Sequence, residues 1–258
     1  MLYQIKAYLK FLFRSTNQHG IHSPFIYQLV TKCFYDRSKY TQYADIKAYR
    51  KSLIRNKNKI IINDLGSGSK VFSSKERSIN RIAKISGSSY KRAKLIYRLA
   101  HYFKPSSILE LGTSLGIATH AMSKGNSKAD VTTIEGASNC AEFARLQLKT
   151  FNINNVNVIV GDFANTINDL KQSHWDFVFF DGHHSKTATL NNFEALLSTA
   201  HNETLFIFDD IHWSKDMSEA WEIIKQHPKV TVTIDTFYWG FVFFRKEQVK
   251  EHFNIRLN

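Results

Sequence analysis

The feature that most constrains this chain is a regular alternation of short apolar runs with helical segments between residues 107 and 244. Strand-like runs at 107–111, 131–135, 156–160, 177–181 and 204–209 are separated by helical stretches at 117–123, 139–151, 163–172 and 186–200, and a further helix follows at 215–226. Alternating strands and helices of this kind require a mostly parallel sheet covered by helices. The run Phe177-Val178-Phe179-Phe180 is of the sort buried on both faces. The last two strands, 230–235 and 239–244, are joined by a turn too short for a helix and should pair as an antiparallel hairpin. The reading is α/β: an open sheet of seven strands, mostly parallel, with a C-terminal antiparallel hairpin and an N-terminal helical extension.

Within that frame the first strand runs into a turn with the pattern Glu110-x-Gly112-x-x-x-Gly116, and a helix follows. Glycines there let backbone N–H groups approach a ligand because no Cβ stands in the way. A dinucleotide fingerprint needs Gly-x-Gly-x-x-Gly for its pyrophosphate, and that pattern is missing here. The turn suits a nucleoside ligand without phosphates, held in part by an acidic side chain. A second candidate, the apolar run 60–62 followed by Gly66 and Gly68, has no second strand and acid downstream, only a basic segment at 70–84. Residues 63–72 are read as a loop over the site rather than a cofactor turn.

Charge divides the chain. Residues 1–104 hold 22 Lys/Arg against 4 Asp/Glu, a net of +18, while 105–258 carry a net of −5. A basic, mainly helical extension, 1–86, is therefore expected ahead of a domain at 87–258. In the extension, residues 2–13 form an apolar helix with Lys6, Lys10 and Arg14 four apart on one stripe. Such a helix packs on the protein or a second subunit, or lies on an anionic membrane surface. Ser23 and Pro24 read as the N-cap and first residue of a second helix, and 40–55 as a third. The two cysteines, Cys33 and Cys140, have neither metal spacing nor a disulfide framework, which fits a reducing compartment. No apolar run reaches about 18 residues, and Lys6, Lys10 and Arg14 spoil the N-terminal segment as a signal peptide. A cytoplasmic protein, peripheral to the inner face of a membrane if bound to one, is expected.

Ligands of open α/β sheets lie beyond the carboxyl ends of the strands, and here nearly every strand ends in an acid or an imidazole. Glu110 and Gly112 follow the first strand, Glu135 the second, Gly161-Asp162 the third, Asp181-Gly182-His183-His184 the fourth and Asp209-Asp210-Ile211-His212 the fifth. One such Asp is ordinarily a helix cap; five in succession are hard to explain as caps. Glu135, 23 residues beyond Gly112, can accept both hydroxyls of a ribose, and Asp162 can accept from an adenine amine.

The ordered set Ile-Leu-Glu-Leu-Gly-Thr-Ser-Leu-Gly, Thr-Ile-Glu-Gly, Gly-Asp-Phe, Phe-Phe-Asp-Gly-His-His and Phe-Asp-Asp-Ile-His-Trp-Ser resembles the successive motifs of class I S-adenosylmethionine-dependent methyltransferases. The likeness covers roughly 87–245 and is nearest the catechol-type O-methyltransferases; the His-Ser-Pro-Phe segment resembles the extension of uncharacterised bacterial members. The resemblance implies a Rossmann-like sheet and these roles: Glu110, Gly112, Ser114 and Gly116 at the methionine portion of the cofactor, Glu135 at the ribose, Gly161 and Asp162 at the adenine, and Asp181 facing the sulfonium and the substrate. In catechol-type enzymes the matching Asp joins an Asp-Asn pair to hold magnesium. Here the pair is Asp209-Asp210, and three carboxylates, Asp181, Asp209 and Asp210, can still hold a hard divalent ion. The change of Asn to Asp leaves Mg2+ dependence open. Where those enzymes carry a general-base Lys, this chain has His184, with His183 and Lys186 adjacent. An imidazole near neutral pKa suits removal of a hydroxyl proton. His212 and Trp213 are candidates for a substrate wall.

The leading expectation is methyl transfer from S-adenosylmethionine to an oxygen, or less readily a nitrogen, of a small or anionic acceptor. Two alternatives stay open. The basic N-terminal region could serve an RNA methyltransferase, although it holds no recognisable RNA-binding module, or the chain could be a non-catalytic, membrane-peripheral cofactor binder. The apolar first helix also makes a homodimer an expectation.

Overall fold

A computed structural model describes residues 2–62, 76–170 and 174–257. The expected loop at 63–72 lies outside the described residues. The chain forms two compact units, residues 36–166 and residues 1–35 with 167–258. Among the described residues the main sheet is eight-stranded, mixed and mostly parallel. Among the described residues no helix is long and apolar enough to cross a membrane.

In unit 36–166, helix α3 (Gln42–Arg55) buries Ile46, Tyr49 and Leu53, a 3–4 spacing that puts all three on one face. Strands β1 (Lys59–Ile61) and β2 (Glu76–Ser78) pair antiparallel in a small sheet of their own. A strand that begins with an acid therefore does follow the run at 60–62, contrary to the expectation of none, and it pairs antiparallel with that run. Helix α4 (Ile79–Ile85) and helix α5 (Tyr90–Phe103), capped by the Ser89 hydroxyl, follow. Then come β3 (Ser107–Leu111), α6 (Ile117–Gly125), β4 (Asp130–Glu135), α7 (Ser138–Thr150) and β5 (Val156–Val160). The three strands are parallel, with β4 central. Helix α8 (Phe163–Leu170) begins at the end of this unit.

The other unit holds β6 (Phe177–Phe180), α9 (Lys186–Leu196), β7 (Leu205–Asp209), α10 (Lys215–Gln226), β8 (Val232–Asp235), β9 (Trp239–Phe243) and β10 (Glu251–Asn254). Every residue of β6 and β7 is buried, as their unbroken apolar sequences require. β6 and β7 run parallel, β9 lies antiparallel to both β7 and β8, and the expected hairpin is present. The eighth strand, β10, pairs parallel with β8. It is a short strand whose sequence, Glu-His-Phe-Asn, buries only Phe253, so it carries no apolar signal of its own.

The first 35 residues pack on this second unit. Helix α1 (Leu2–Arg14) sets Tyr8 and Phe11 against Phe237. Helix α2 (Pro24–Leu29) starts as expected, with the Ser23 hydroxyl accepting from the Ile26 N–H and Pro24 in the first turn, and runs on through a wider π turn at Val30–Phe34. Phe25 meets Phe243 of β9 edge to face, and Phe34 lies tilted against Phe241.

Candidate functional site

The parallel register of β3 and β4 sets Glu110 beside Thr133. Glu110 is completely buried. The hydroxyls of Thr133, at 2.6 Å, and of Thr119 on α6 both donate to its Oε2, while its Oε1 has no hydrogen-bond partner among the described residues. Burial, reinforced by the charge of Glu135, pushes its pKa up to about 8 against the pull of the two hydroxyls. A carboxyl with one oxygen orphaned in a dry interior is a costly feature that a polar ligand would relieve.

The turn after β3 is built from unusual backbone conformations. Gly112, Ser114 and Gly116 have φ of 108°, 48° and 74°, in the region that favours glycine. A serine held there needs anchoring. The N–H of Ser114 donates to Glu135 Oε2 at 2.8 Å, and the N–H of Ala137 donates to Oε1 at 2.9 Å. Glu135 thus ties the turn to the end of β4, and a carboxylate oxygen can accept more than one hydrogen bond. From the other side, the Tyr49 hydroxyl donates to the Leu115 carbonyl at 2.9 Å. A Cβ on Gly116 would meet that hydroxyl at 2.7 Å. Tyr49 in turn stacks on His120, ring centroids 4.4 Å apart. His120 is fully buried, with neither ring nitrogen hydrogen-bonded among the described residues, and burial, then the charge of Lys124, holds its pKa down to about 4.

The N–H of Gly161 donates to the Glu135 carbonyl at 3.1 Å, next to the strand end that carries Glu135. Asp162 caps α8, its Oδ1 accepting from the Ala164 N–H at 3.0 Å. The capping role weighed from sequence is therefore real for Asp162, and it occupies Oδ1.

In the other unit, Asp181, His184 and Asp209 bring one ligand atom each to within 4.8 Å of one another, a group that could hold a metal ion. Asp210 is not part of this group; its φ of 53° marks a left-handed turn directly after β7. The group therefore pairs two of the three expected carboxylates with the imidazole that sequence put forward as a base. The antiparallel register sets Asp209 opposite Trp239, and the indole N–H donates to Asp209 Oδ1 at 2.6 Å, fixing the carboxylate's orientation. His183 also has positive φ, 51°, in the turn that ends where the Ser185 hydroxyl caps α9.

His212 does not stand as a free wall. Its Nε2 bonds Asp235 Oδ2 at 2.7 Å and its Nδ1 the Ser218 hydroxyl at 2.9 Å, so it braces the loop after β7 against β8 and α10. Trp213 is 44% exposed. Tyr49, Thr119, Thr133 and Trp239 escaped sequence reasoning. For Tyr49 the only signal was its place on the apolar face of α3, and for Trp239 its place opposite Asp209 in the hairpin.

With this geometry in hand, comparison with known proteins gives a consistent result. Residues 109–211 match the family model described as a methyltransferase domain. The matched stretch runs from within β3 to just beyond β7. Among solved structures it is similar to an SAH-bound methyltransferase from Podospora anserina, at 15% identity and a TM-score of 0.60, covering 88% of this chain and 97% of that one. It is also similar to an O-methyltransferase from Bacillus cereus in complex with SAH, at 18% identity and a TM-score of 0.53, covering 80% and 92%. A third is TomG from Streptomyces achromogenes, an O-methyltransferase of tomaymycin synthesis in complex with SAM, at 18% identity and a TM-score of 0.53, covering 62% and 82%. At these identities the likeness is one of fold. No curated protein matches the chain.

Proposed function

We propose that this chain transfers a methyl group from S-adenosylmethionine to an oxygen of a small acceptor. The observation that carries the reading is Glu110, a buried carboxyl with an unpartnered oxygen at the foot of a turn whose Gly112, Ser114 and Gly116 all take positive φ. An ammonium group such as that of the cofactor's methionine portion is the partner this oxygen lacks. Gly112, Ser114 and Gly116 would let the backbone approach that portion closely, Glu135 would accept from the ribose hydroxyls, and Gly161 with Asp162 would flank the adenine. The cofactor supplies an activated methyl group; the protein's part is alignment and proton removal.

In the unit that holds Asp181, His184 and Asp209, His184 would take the acceptor's hydroxyl proton on a ring nitrogen as the oxygen becomes a nucleophile. Asp181 and Asp209 are hard oxygen donors suited to a divalent ion such as Mg2+, which would lower the pKa of a bound hydroxyl; Trp239 would keep the Asp209 carboxylate oriented. Asp210 would join them only if the turn after β7 rearranged. His183 would shape the loop rather than move protons. The division of the chain into an extension, 1–86, and a catalytic domain, 87–258, is retained as a functional one, with the extension shaping acceptor choice. Tyr49 reaches from that extension to the Leu115 carbonyl, so its influence would extend to the cofactor turn.

Calorimetric titration of S-adenosylmethionine and S-adenosylhomocysteine into the full chain tests this reading, with Glu135→Ala alongside. Micromolar binding that is lost in a folded Glu135→Ala protein is the expected result. Absence of heat with intact wild-type protein overturns it. An acceptor screen over catechols, other hydroxyl compounds and RNA, with and without Mg2+, then distinguishes small-molecule transfer from the RNA alternative.

A further inference from the structure

We propose that the outward face of α1 docks the protein on an anionic lipid surface. The helix has two apolar sides. One holds Phe11, buried, with Tyr8 packed on Phe237. At 3.6 residues per turn, Leu2, Ile5, Leu9 and Phe13 fall within an arc of roughly 80° directly opposite Phe11. All four are exposed, Leu2 by 78% and Phe13 by 89%. A folded protein rarely spends a row of large side chains on water without a partner for it.

Charge decides which partner. Lys6, Lys10 and Arg14 are exposed; Lys6 borders the apolar row about 20° from its edge, with Lys10 and Arg14 about 60° and 100° beyond that edge, and residues 1–35 contain four Lys/Arg and no Asp/Glu. An apolar stripe edged by cations matches a membrane interface, with the side chains in the acyl boundary and the ammonium groups among anionic headgroups. A second copy of the chain fits less well. Two α1 helices meeting face to face would bring cationic rows together with no carboxylate on the helix to answer them. The stripe itself offers only a few hundred Å2, short of the roughly 800 Å2 per partner of a stable interface. Binding here would also bear on the domain's chemistry, because the Gln4 side chain donates to the Trp213 carbonyl, in the loop that follows Asp209.

The test is co-sedimentation of the full chain with vesicles of phosphatidylcholine alone and of phosphatidylcholine with phosphatidylglycerol. Light scattering in the absence of lipid runs in parallel. The chain should pellet with the anionic vesicles, at least tenfold less with the neutral ones, and less as salt is raised. Phe13→Asp and the pair Lys6→Glu/Lys10→Glu each should lower the partition coefficient at least tenfold; these side chains are exposed, and circular dichroism checks that the fold is kept. No pelleting overturns the proposal, as does pelleting that neither variant changes. A dimer that Phe13→Asp dissolves would assign the face to a second copy and overturn it equally.

Discussion

Replacing Glu110 by Gln should change how stability depends on pH, in a direction and by an amount that follow from its surroundings. Gln has the same shape, and its carbonyl can still accept from Thr119 and Thr133, but it cannot ionise. In the wild type, burial and the neighbouring charge of Glu135 move the carboxyl from its ordinary 4.5 to about 8. The folded chain therefore keeps a proton that the unfolded chain has already released. Below about pH 4.5 both states are protonated and the shift costs nothing. As pH rises from there to about 8, the unfolded state holds fewer protons than the folded one, and stability falls. The full span is about 3.5 pKa units, or on the order of 5 kcal/mol. Urea unfolding of both proteins at intervals from pH 5 to pH 9 isolates this contribution, because all other titrating groups cancel in the difference. The variant should gain on the wild type by several kcal/mol across that range, most of it before pH 8. Two stability curves that stay parallel would refute the reasoning. The same logic gives a ligand signature. An ammonium placed beside Glu110 favours its ionised form, so S-adenosylmethionine binding at pH 7 should release up to about nine-tenths of a proton, readable by calorimetry in buffers of different ionisation heat.

His120 predicts the opposite limb. Its pKa is held down to about 4, so its contribution is complete above about pH 6.5 and lost as pH falls toward 4, up to about 3 kcal/mol. His120→Phe should flatten that acid limb in urea unfolding, and an unchanged limb counts against the assignment. Gly116→Ala should cost 2 kcal/mol or more by thermal or urea unfolding, about 1 from the positive φ and the rest from displacing the Tyr49 hydroxyl; Tyr49→Phe alone should cost about 1 kcal/mol. If Gly116→Ala is neutral, the packing of α3 beneath the turn is not as described. His184→Asn should lower turnover at least 100-fold with cofactor affinity by calorimetry unchanged, and equal turnover would remove His184 as the base.

Much of the architecture was legible because its signals are local. Unbroken apolar runs at 177–180 and 205–209 declare buried strands, the spacing of Ile46, Tyr49 and Leu53 declares a helix face, and Ser23-Pro24 declares a helix start. A strand running into Glu110-x-Gly112 marks the turn without any knowledge of neighbours. The strand β10 was not legible, since a short strand with one buried residue differs little from coil. The candidate metal group was half legible: the resemblance put forward Asp181, Asp209 and Asp210 as ligands and His184 as a base, but that His184 stands with the first two carboxylates and Asp210 does not depends on backbone turns at 183 and 210.

The sequence by itself determined the order of strands and helices, the place of the Gly turn and the acids that follow each strand. Each of these is set by residue type and spacing within a few positions. The tertiary structure alone decided what those acids do in the fold. Glu110 lost its water because β4 and α6 close over it and supply two hydroxyls for one oxygen. Glu135 became the anchor of the turn because Ser114, 21 positions away, presents its N–H group to it. Partnership of this kind joins residues 9 to 66 positions apart, as Thr119 to Glu110 and Tyr49 to Leu115 do, and no local pattern encodes which groups meet once the chain has packed.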